Sequence, residues 1–255
     1  SDRGGENHLY TIAADGSNLR KITSKPLPFN AWDCRFSFSP DGRKILYSDG
    51  EDGEDGEDGE DGETNLFTFD LVDKRIEQIT NFSGRVISAP DWCSDGKFIV
   101  YQSDEKFYIW DLERQVESLI DTDRTGSFPT WSPDGQWIGL QQREYSYWRT
   151  YLVSRSGGPA IMVGPGYAYH SQVPSWSSDG NHIVYHGGKR EVRPLVVRSL
   201  VDGSEQVLTD SLNHAGWYWG SWSPNSQLLT FMNTDFQNGI QVTELMMGDI
   251  GTGTI

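Results

Sequence analysis

The chain lacks the features of a membrane protein and of a helical one. No apolar run approaches the roughly 20 residues that a membrane-spanning helix needs. The first residues do not show the basic start and apolar stretch of a signal peptide, although one removed during export is compatible with this start. No segment carries the apolar period of an amphipathic helix. We therefore expect an all-β protein without direct membrane insertion.

Positive charge is also scarce. The chain has 21 Lys and Arg against 37 Asp and Glu, a formal net charge of −16. Nine of the acids lie in the run "EDGEDGEDGEDGE" at residues 51–63, and without them the net charge is −7. Because phosphate binding needs a concentrated basic surface, we expect no nucleic-acid partner.

The acidic run cannot bury a core, so it is predicted to be a solvated, disordered insert. Alternating Asp and Glu could attract calcium weakly, which is the alternative interpretation. The run lacks the spaced ligands and closing bidentate glutamate of a calcium-binding loop.

What the chain has instead is a repeat built on an aromatic residue followed by a turn. The five copies are "FSPDGRKILYS" from Phe38, "WCSDGKFIVYQ" from Trp92, "WSPDGQWIGLQ" from Trp131, "WSSDGNHIVYH" from Trp176 and "WSPNSQLLTFM" from Trp222. Their leading aromatics are spaced 54, 39, 45 and 46 residues apart, and the first spacing falls to about 41 without the acidic run. A period of roughly 40 to 45 residues is typical of four-stranded propeller blades.

Each copy is predicted to begin with a hairpin. In the third copy, residues 127–131 form the first strand, "SPDG" turns the chain, and residues 136–141 form the second strand. Proline presets the first central turn position, aspartate can bond its own backbone, and glycine accepts positive φ. A third strand such as "NLFTFDL" and a fourth such as "RIEQIT" complete the unit. The motif is therefore interpreted as a hairpin device.

In the alignment of the five copies, the leading aromatic and the residue before it form two columns. Their side chains face opposite sides of the first strand, because side chains alternate along a strand. We expect the aromatic column to pack between blades and the small polar residues that precede it to face water in a central channel. Those polar residues are Ser37, Asp91, Thr130, Ser175 and Ser221. Pro90, Pro129 and Pro174 precede the aromatic by two residues, and because proline is tolerated only at strand starts, bulges or edges, we predict that the first strand is an edge strand.

These units predict a single β-propeller domain over residues 1–255, with about six four-stranded blades and an incomplete first blade. The partial blade covers residues 1–23, and complete copies start near residues 32, 86, 125, 170 and 216. The chain is expected to belong to a longer chain or assembly.

Cys34 and Cys93 lie about five residues apart on adjacent equivalent strands, roughly 17 Å. A disulfide needs Cα atoms within about 7 Å, so we predict two free, buried thiols.

The segments "ADGSNLRKIT" and "WSPDG", with the strand that follows, resemble the TolB-like propeller repeat, found also in tricorn protease and prolyl oligopeptidase relatives. The resemblance covers nearly the whole chain and implies a TolB-like β-propeller in a periplasmic or extracellular protein. TolB itself is an adaptor whose propeller binds partner proteins. Oligogalacturonate lyases use a related propeller with a His-rich metal site. The hydrolase domain of prolyl oligopeptidase relatives has no counterpart, since no Gly-x-Ser-x-Gly elbow occurs.

Aromatic and polar residues cluster in the segments that precede the first strands, notably in "GYAYH" and "GWYWG". Flat rings with polar handles are common at binding surfaces. The alternative is that the rings plug the channel or cover blade ends. The predicted ligand- or partner-binding residues are Trp32, Arg35, Tyr167, Tyr169, His170, His214, Trp217, Tyr218 and Trp219.

Fewer residues are candidates for a catalytic or metal-binding role. His170 and His214 precede the first strands of adjacent blades, but a three-ligand catalytic metal site needs further partners. We predict no catalytic residue and no cofactor, with a divalent metal at this histidine pair as the alternative. His182 aligns with Phe98 and Trp137 and is predicted to be a packed strand residue.

The preferred hypothesis is a non-catalytic propeller that acts as a protein-interaction or ligand-binding module of an exported or cell-envelope protein, with a protein or carbohydrate partner. One alternative is a metal-assisted polysaccharide lyase or hydrolase. Another is a structural accessory domain of a larger surface assembly.

Overall fold

The fold is that of a computed structural model. The structure describes residues 8, 10–12, 17–22, 36–51, 63–144, 147–163, 174–186, 195–208, 221–237 and 240–253. All regular secondary structure in these ranges is β-strand. In the same ranges, no helix has the length and apolar character needed to cross a bilayer.

The strands form six antiparallel sheets, numbered here as blades 1 to 6 in chain order. Counted over the described residues, blade 1 has two strands, blades 2 to 5 have four each, and blade 6 has three. In each four-stranded blade the strands follow one another across the sheet in sequence order. The predicted all-β propeller of four-stranded blades is therefore confirmed.

The strand bounds are as follows: blade 1, β1 (Tyr10–Thr11) and β2 (Arg20–Lys21); blade 2, β3 (Phe36–Phe38), β4 (Lys44–Glu51), β5 (Glu63–Asp70) and β6 (Ile76–Gln78); blade 3, β7 (Ser88–Trp92), β8 (Phe98–Ser103), β9 (Lys106–Asp111) and β10 (Val116–Leu119); blade 4, β11 (Ser127–Trp131), β12 (Trp137–Glu144), β13 (Tyr147–Ser154) and β14 (Ile161–Met162); blade 5, β15 (Ser175–Trp176), β16 (His182–His186), β17 (Leu195–Ser199) and β18 (Glu205–Val207); blade 6, β19 (Ser221–Trp222), β20 (Leu228–Gln237) and β21 (Ile240–Asp249).

Apolar contacts between consecutive blades form the core. Five clusters of buried side chains occupy the five boundaries between the six blades. At the first boundary Ile22 of blade 1 packs with Ile45 and Tyr47 of blade 2. Burying one Val, Leu or Ile side chain contributes about 1.5–3 kcal/mol. Each blade therefore depends on its neighbours for stability, as expected of a repeat array.

The "SPDG" segment closes the first hairpin of a blade by local hydrogen bonds. In blade 4, Gly135 has a φ of 67° and its N–H donates to the Ser132 carbonyl at 2.9 Å. Asp134 Oδ1 accepts from Ser132 Oγ at 2.5 Å and from the Gln136 N–H at 3.0 Å. Ser132 Oγ accepts from the Trp137 N–H at 2.9 Å. The interpretation of the motif as a hairpin device is confirmed.

Blade 6 keeps the same turn although its sequence departs from the motif. Asn225 Oδ1 accepts from Ser223 Oγ at 2.7 Å and from the Gln227 N–H at 3.3 Å. Ser226 occupies the glycine position with a φ of 59°. An amide oxygen therefore serves this turn in place of a carboxylate.

Hairpin turns of consecutive blades also bond to one another. Ser94 Oγ donates to the Pro133 carbonyl at 2.6 Å. Ser178 Oγ donates to the Ser223 carbonyl at 3.0 Å, and the Asp179 N–H donates to Ser226 Oγ at 2.9 Å. These bonds join the turn of blade 3 to that of blade 4, and the turn of blade 5 to that of blade 6, on one face of the molecule.

The polar column beside the aromatics joins the first strands of neighbouring blades. Ser37 Oγ accepts from the Trp92 N–H at 3.1 Å, and Asp91 Oδ2 accepts from the Trp131 N–H at 2.7 Å. Thr130 Oγ1 donates to the Pro174 carbonyl and accepts from Trp176 Nε1, both at 3.1 Å. Thr130 is only 8% exposed. The expectation that this column faces channel water is wrong for Thr130, because its hydroxyl satisfies buried groups of the next blade.

The aromatic column packs between blades as expected, with one exception. Trp131 is buried among residues of blade 3, and Trp176 and Trp222 pack in the next two boundaries. Phe38 is 53% exposed instead. Blade 1 offers only β1 and β2 in the described ranges, so no first strand stands opposite Phe38 there.

Two first strands are bulged just before their prolines. Ala89 and Phe128 have φ values of 49° and 57°, and the pairing register shifts at both positions. Pro90 and Pro129 follow directly. Both strands, β7 and β11, lie at the edge of their sheets, which confirms the prediction of an edge strand at these prolines.

Cys93 is a free, fully buried thiol, as predicted, while Cys34 lies outside the described residues. Burial raises the pKa of the Cys93 thiol to about 11. A Cβ built on Gly135 of the next blade would come within 2.9 Å of its sulfur. The thiol therefore belongs to the packing between blades 3 and 4.

We predict that Thr130→Val lowers the free energy of unfolding by about 1–3 kcal/mol, because valine keeps the shape but leaves the Trp176 N–H and the Pro174 carbonyl without their buried partner. Denaturant unfolding checks this value. Thr125→Val, at an exposed position, is the control. A loss below about 0.5 kcal/mol for Thr130→Val would show that the inter-blade bonds contribute little.

We predict that Cys93 resists iodoacetamide in the folded protein at pH 8, because the thiolate is the reactive form and burial keeps the thiol protonated. Peptide mapping by mass spectrometry, with and without denaturant, measures its labelling. Labelling in native buffer at the denatured rate would contradict this burial.

Candidate functional site

The order of strands separates the chain connections onto two faces. Turns between the first and second strands, and between the third and fourth, lie on what we call the turn face. Turns between the second and third strands, and the connections to the next blade, lie on the opposite, connection face. β4 and β5 pair as far as Glu51 and Glu63. The acidic run between them thus starts and ends at the connection face.

All nine predicted binding residues lie outside the described residues, as do the proposed histidine metal pair and residues 52–62 of the acidic run. The nine are Trp32, Arg35, Tyr167, Tyr169, His170, His214, Trp217, Tyr218 and Trp219. They belong to three connections between blades, which join β2 to β3 (22–35), β14 to β15 (163–174) and β18 to β19 (208–220). The corresponding segments before blades 3 and 4 are 79–87 and 120–126.

The connection before blade 3 carries an arginine that binds across its own blade. Arg85 Nη1 donates to both carboxylate oxygens of Glu117 at 3.0 Å. Its Cζ lies 4.7 Å from the ring centroids of Phe82 and Tyr108. Tyr101 donates its hydroxyl to Glu117 Oε2 at 2.5 Å. The guanidinium is thus held by one carboxylate and two aromatic rings.

Blade 4 repeats this arrangement with a second cation. Arg124 Nη1 donates to Glu144 Oε1 at 3.1 Å and to Gln142 Oε1 at 3.2 Å. Arg149 Nη1 lies 3.2 Å from Glu144 Oε2. Tyr151 donates its hydroxyl to Glu144, and Arg124 Cζ lies 4.7 Å above the Tyr151 ring. One carboxylate therefore holds two guanidinium groups and a phenol.

The phenols of these groups are donors and not bases. Burial, followed by the hydrogen bond to Glu117, raises the pKa of Tyr101 well above its usual range. Burial and the bond to Glu205 do the same to the pKa of Tyr185, whose hydroxyl lies 2.8 Å from Glu205 Oε1. These phenols stay protonated near neutral pH, so the Tyr, Glu and Arg groups tie strands together.

His182, the first residue of β16, behaves as predicted. His182 stacks on Trp222 of blade 6 with ring centroids 6.2 Å apart. This confirms its role as a packed strand residue. Across the described ranges, no group of three His, Cys, Asp or Glu side chains is placed to hold a metal ion.

Two features escaped the interpretation of the sequence. Arg85 and Arg124 occupy the same column of the repeat alignment, ahead of the leading aromatic of their copies. A cavity of about 360 Å³ lies between blades 4 and 5, lined by Trp137 and Trp176 among others. The repeat alignment identifies Trp137 as a strand residue, but an alignment does not show whether a neighbour fills the space beside it.

Comparison with known proteins places the chain among propellers. The profile of the TolB beta propeller domain matches residues 58–249. No curated protein gives a significant match.

Three solved structures illustrate the similarity. TolB from Acinetobacter baumannii has a TM-score of 0.67 at 18% identity, over 94% of this chain and 56% of that one. An oligogalacturonate lyase in complex with manganese has a TM-score of 0.67 at 11% identity, over 94% and 71%. Tricorn protease has a TM-score of 0.51 at 16% identity, over 100% and 24%.

At such identities the structures establish the fold alone. The chain spans little more than half of the TolB chain. The profile match covers about three quarters of the sequence, and its repeat is the one that builds the described blades. The chain therefore belongs to the TolB beta propeller domain family.

Proposed function

We propose that this propeller is a non-catalytic interaction module that binds a protein partner at its connection face. The observation that carries the proposal is the composition of three connections. Those before blades 2, 5 and 6 contain all nine of the predicted binding residues. Connections on a rigid scaffold are common carriers of binding function.

The composition of these connections supports binding of a partner. Trp, Tyr and Arg are the residue types that dominate the energy of protein interfaces. "GWYWG" and "GYAYH" place five aromatic rings and one histidine in two of the connections. In the described blades, by contrast, the Tyr, Glu and Arg side chains described above bond to one another.

Membership of the TolB family favours an exported protein of the periplasm or cell surface. The matched TolB structures extend well beyond the span of this chain, so the domain would act as part of a larger protein or assembly. A carbohydrate is the alternative ligand, because aromatic rings also stack on sugars.

The rival function is a metal-assisted polysaccharide lyase or hydrolase. It is favoured by His170 and His214, which lie in the two connections that also hold the aromatic segments. The fold similarity to an oligogalacturonate lyase bound to manganese makes this worth a direct test.

We expect Trp217→Ala with Trp219→Ala to weaken partner binding about tenfold or more, since truncating an aromatic hot spot typically costs at least about 2 kcal/mol. Partners are identified by crosslinking in the native host, and their affinities are then measured for each variant. Arg114→Ala with Val201→Ala alters exposed turns of the opposite face and is the matched control. Unchanged affinity of the Trp217 and Trp219 variant for every partner would overturn this surface.

We expect the native protein, dialysed against metal-free buffer, to retain no transition metal. Elemental mass spectrometry measures the content. About one equivalent of manganese, zinc or iron, lost on His170→Ala or His214→Ala, would replace the interaction function by the lyase function.

A further inference from the structure

The cavity between blades 4 and 5 is partly open and is bordered by aromatic and aliphatic side chains from both blades. It measures about 360 Å³ and is lined by Trp137 and Leu152 of blade 4 and by Trp176 and Leu200 of blade 5. Asp134, in the first hairpin turn of blade 4, also lines it. Because its walls include turns between first and second strands, the cavity lies at the turn face, away from the surface of the proposed function.

The preceding boundary shows what fills this position elsewhere in the same chain. Between blades 3 and 4, Arg155 lays its guanidinium over the Phe98 ring, with Cζ 3.8 Å from the centroid. The same Cζ is 5.4 Å from the Trp131 centroid. Arg155 Nη1 lies 3.5 Å from Asp95 Oδ2. A guanidinium thus occupies this boundary, held by two aromatic rings and a turn carboxylate.

The two boundaries correspond residue by residue. The Arg155 N–H donates to the Gln136 carbonyl at 2.9 Å, and the Leu200 N–H donates to the Asn181 carbonyl at 2.7 Å. Leu200 is therefore the counterpart of Arg155, one blade further on. By the same alignment Trp137, Trp176 and Asp134 stand in the places of Phe98, Trp131 and Asp95.

The cavity therefore has the aromatic and acidic groups that hold Arg155 at the preceding boundary, but it has the aliphatic Leu200 in place of the arginine, as blades 3 and 6 have Leu112 and Ile250. Asp134 Oδ1 is used by the hairpin turn, and among the described residues no Lys or Arg pairs with the Asp134 carboxylate. Arg198 also lines the cavity, but its Nη1 is bound to Glu205 Oε1 at 2.6 Å. Of the charged side chains that line the cavity, the Asp134 carboxylate is therefore the one available to a ligand.

We propose that this cavity binds the side chain of an arginine from a basic segment of a partner protein. The guanidinium would stack on Trp137 and Trp176 and pair with Asp134, as Arg155 does in cis at the preceding boundary. A guanidinium stacks on aromatic rings and pairs with carboxylates better than an ammonium does. Outside the acidic run of the opposite face the chain still carries a net charge of −7, which favours approach of a basic segment. The site is separate from the proposed connection-face surface and does not depend on it.

The test uses Nα-acetyl-arginine methylamide as the probe and its citrulline analogue as an uncharged control of the same shape. Indole N–H signals in NMR titrations of the whole chain report binding. We expect the citrulline analogue to bind at least tenfold more weakly. Equal binding of the two probes, or no binding of either, would overturn the proposal.

Two variants locate the site. Asp134→Asn should weaken arginine binding at least fivefold while keeping the turn, because Asn225 already makes the same turn bonds in blade 6. Asp41→Asn, in the equivalent turn of blade 2, should leave binding unchanged. Leu200→Arg should abolish binding by filling the cavity in cis, with a melting temperature equal to or above that of the parent chain. Undiminished binding by folded Asp134→Asn and Leu200→Arg would place the probe elsewhere and exclude this cavity.

Discussion

The structure depends on the burial of each blade against its neighbours. A four-stranded sheet of this size exposes two faces, and a single sheet cannot form a core of its own. Five inter-blade clusters supply that core, one for each boundary. Because the stabilising contacts join neighbours, a change inside one boundary should be felt mainly by the two blades that share it.

Polar groups fix the register that the apolar clusters leave open. Hydrophobic contact is not directional, whereas the bonds of Ser37, Asp91 and Thr130 each join one first strand to the next. The hairpin turns are joined in the same way by Ser94 and Ser178. A single repeat predicts that these side chains face water. In the structure they bond to the next blade and therefore help to set the angle between blades.

Comparison of equivalent positions also shows where the blades differ, and a position that differs can carry a function of its own. Arg155 and Leu200 occupy one column, yet one fills its boundary with a guanidinium and the other leaves a cavity of about 360 Å³. Arg85 and Arg124 likewise support blades 3 and 4, while the equivalent positions before blades 5 and 6 are Tyr169 and Ala215. The blades thus share equivalent bonds, but they differ in the residues that occupy these particular positions.

The blade repeat, the hairpin chemistry and the packing of the aromatic column can be predicted from the sequence, because these follow from strand alternation and from turn residues close together in the chain. The same alignment identifies Cys93 and His182 as packed residues. The role of Thr130, the carboxylate clusters around Arg85 and Arg124, and the cavity beside Trp137 become visible only in the folded chain. Each of these depends on partners that are distant in the sequence, on the same or a neighbouring blade. A repeat alignment shows which positions are equivalent, but the distance between two unlike side chains across a boundary is set by how the sheets pack.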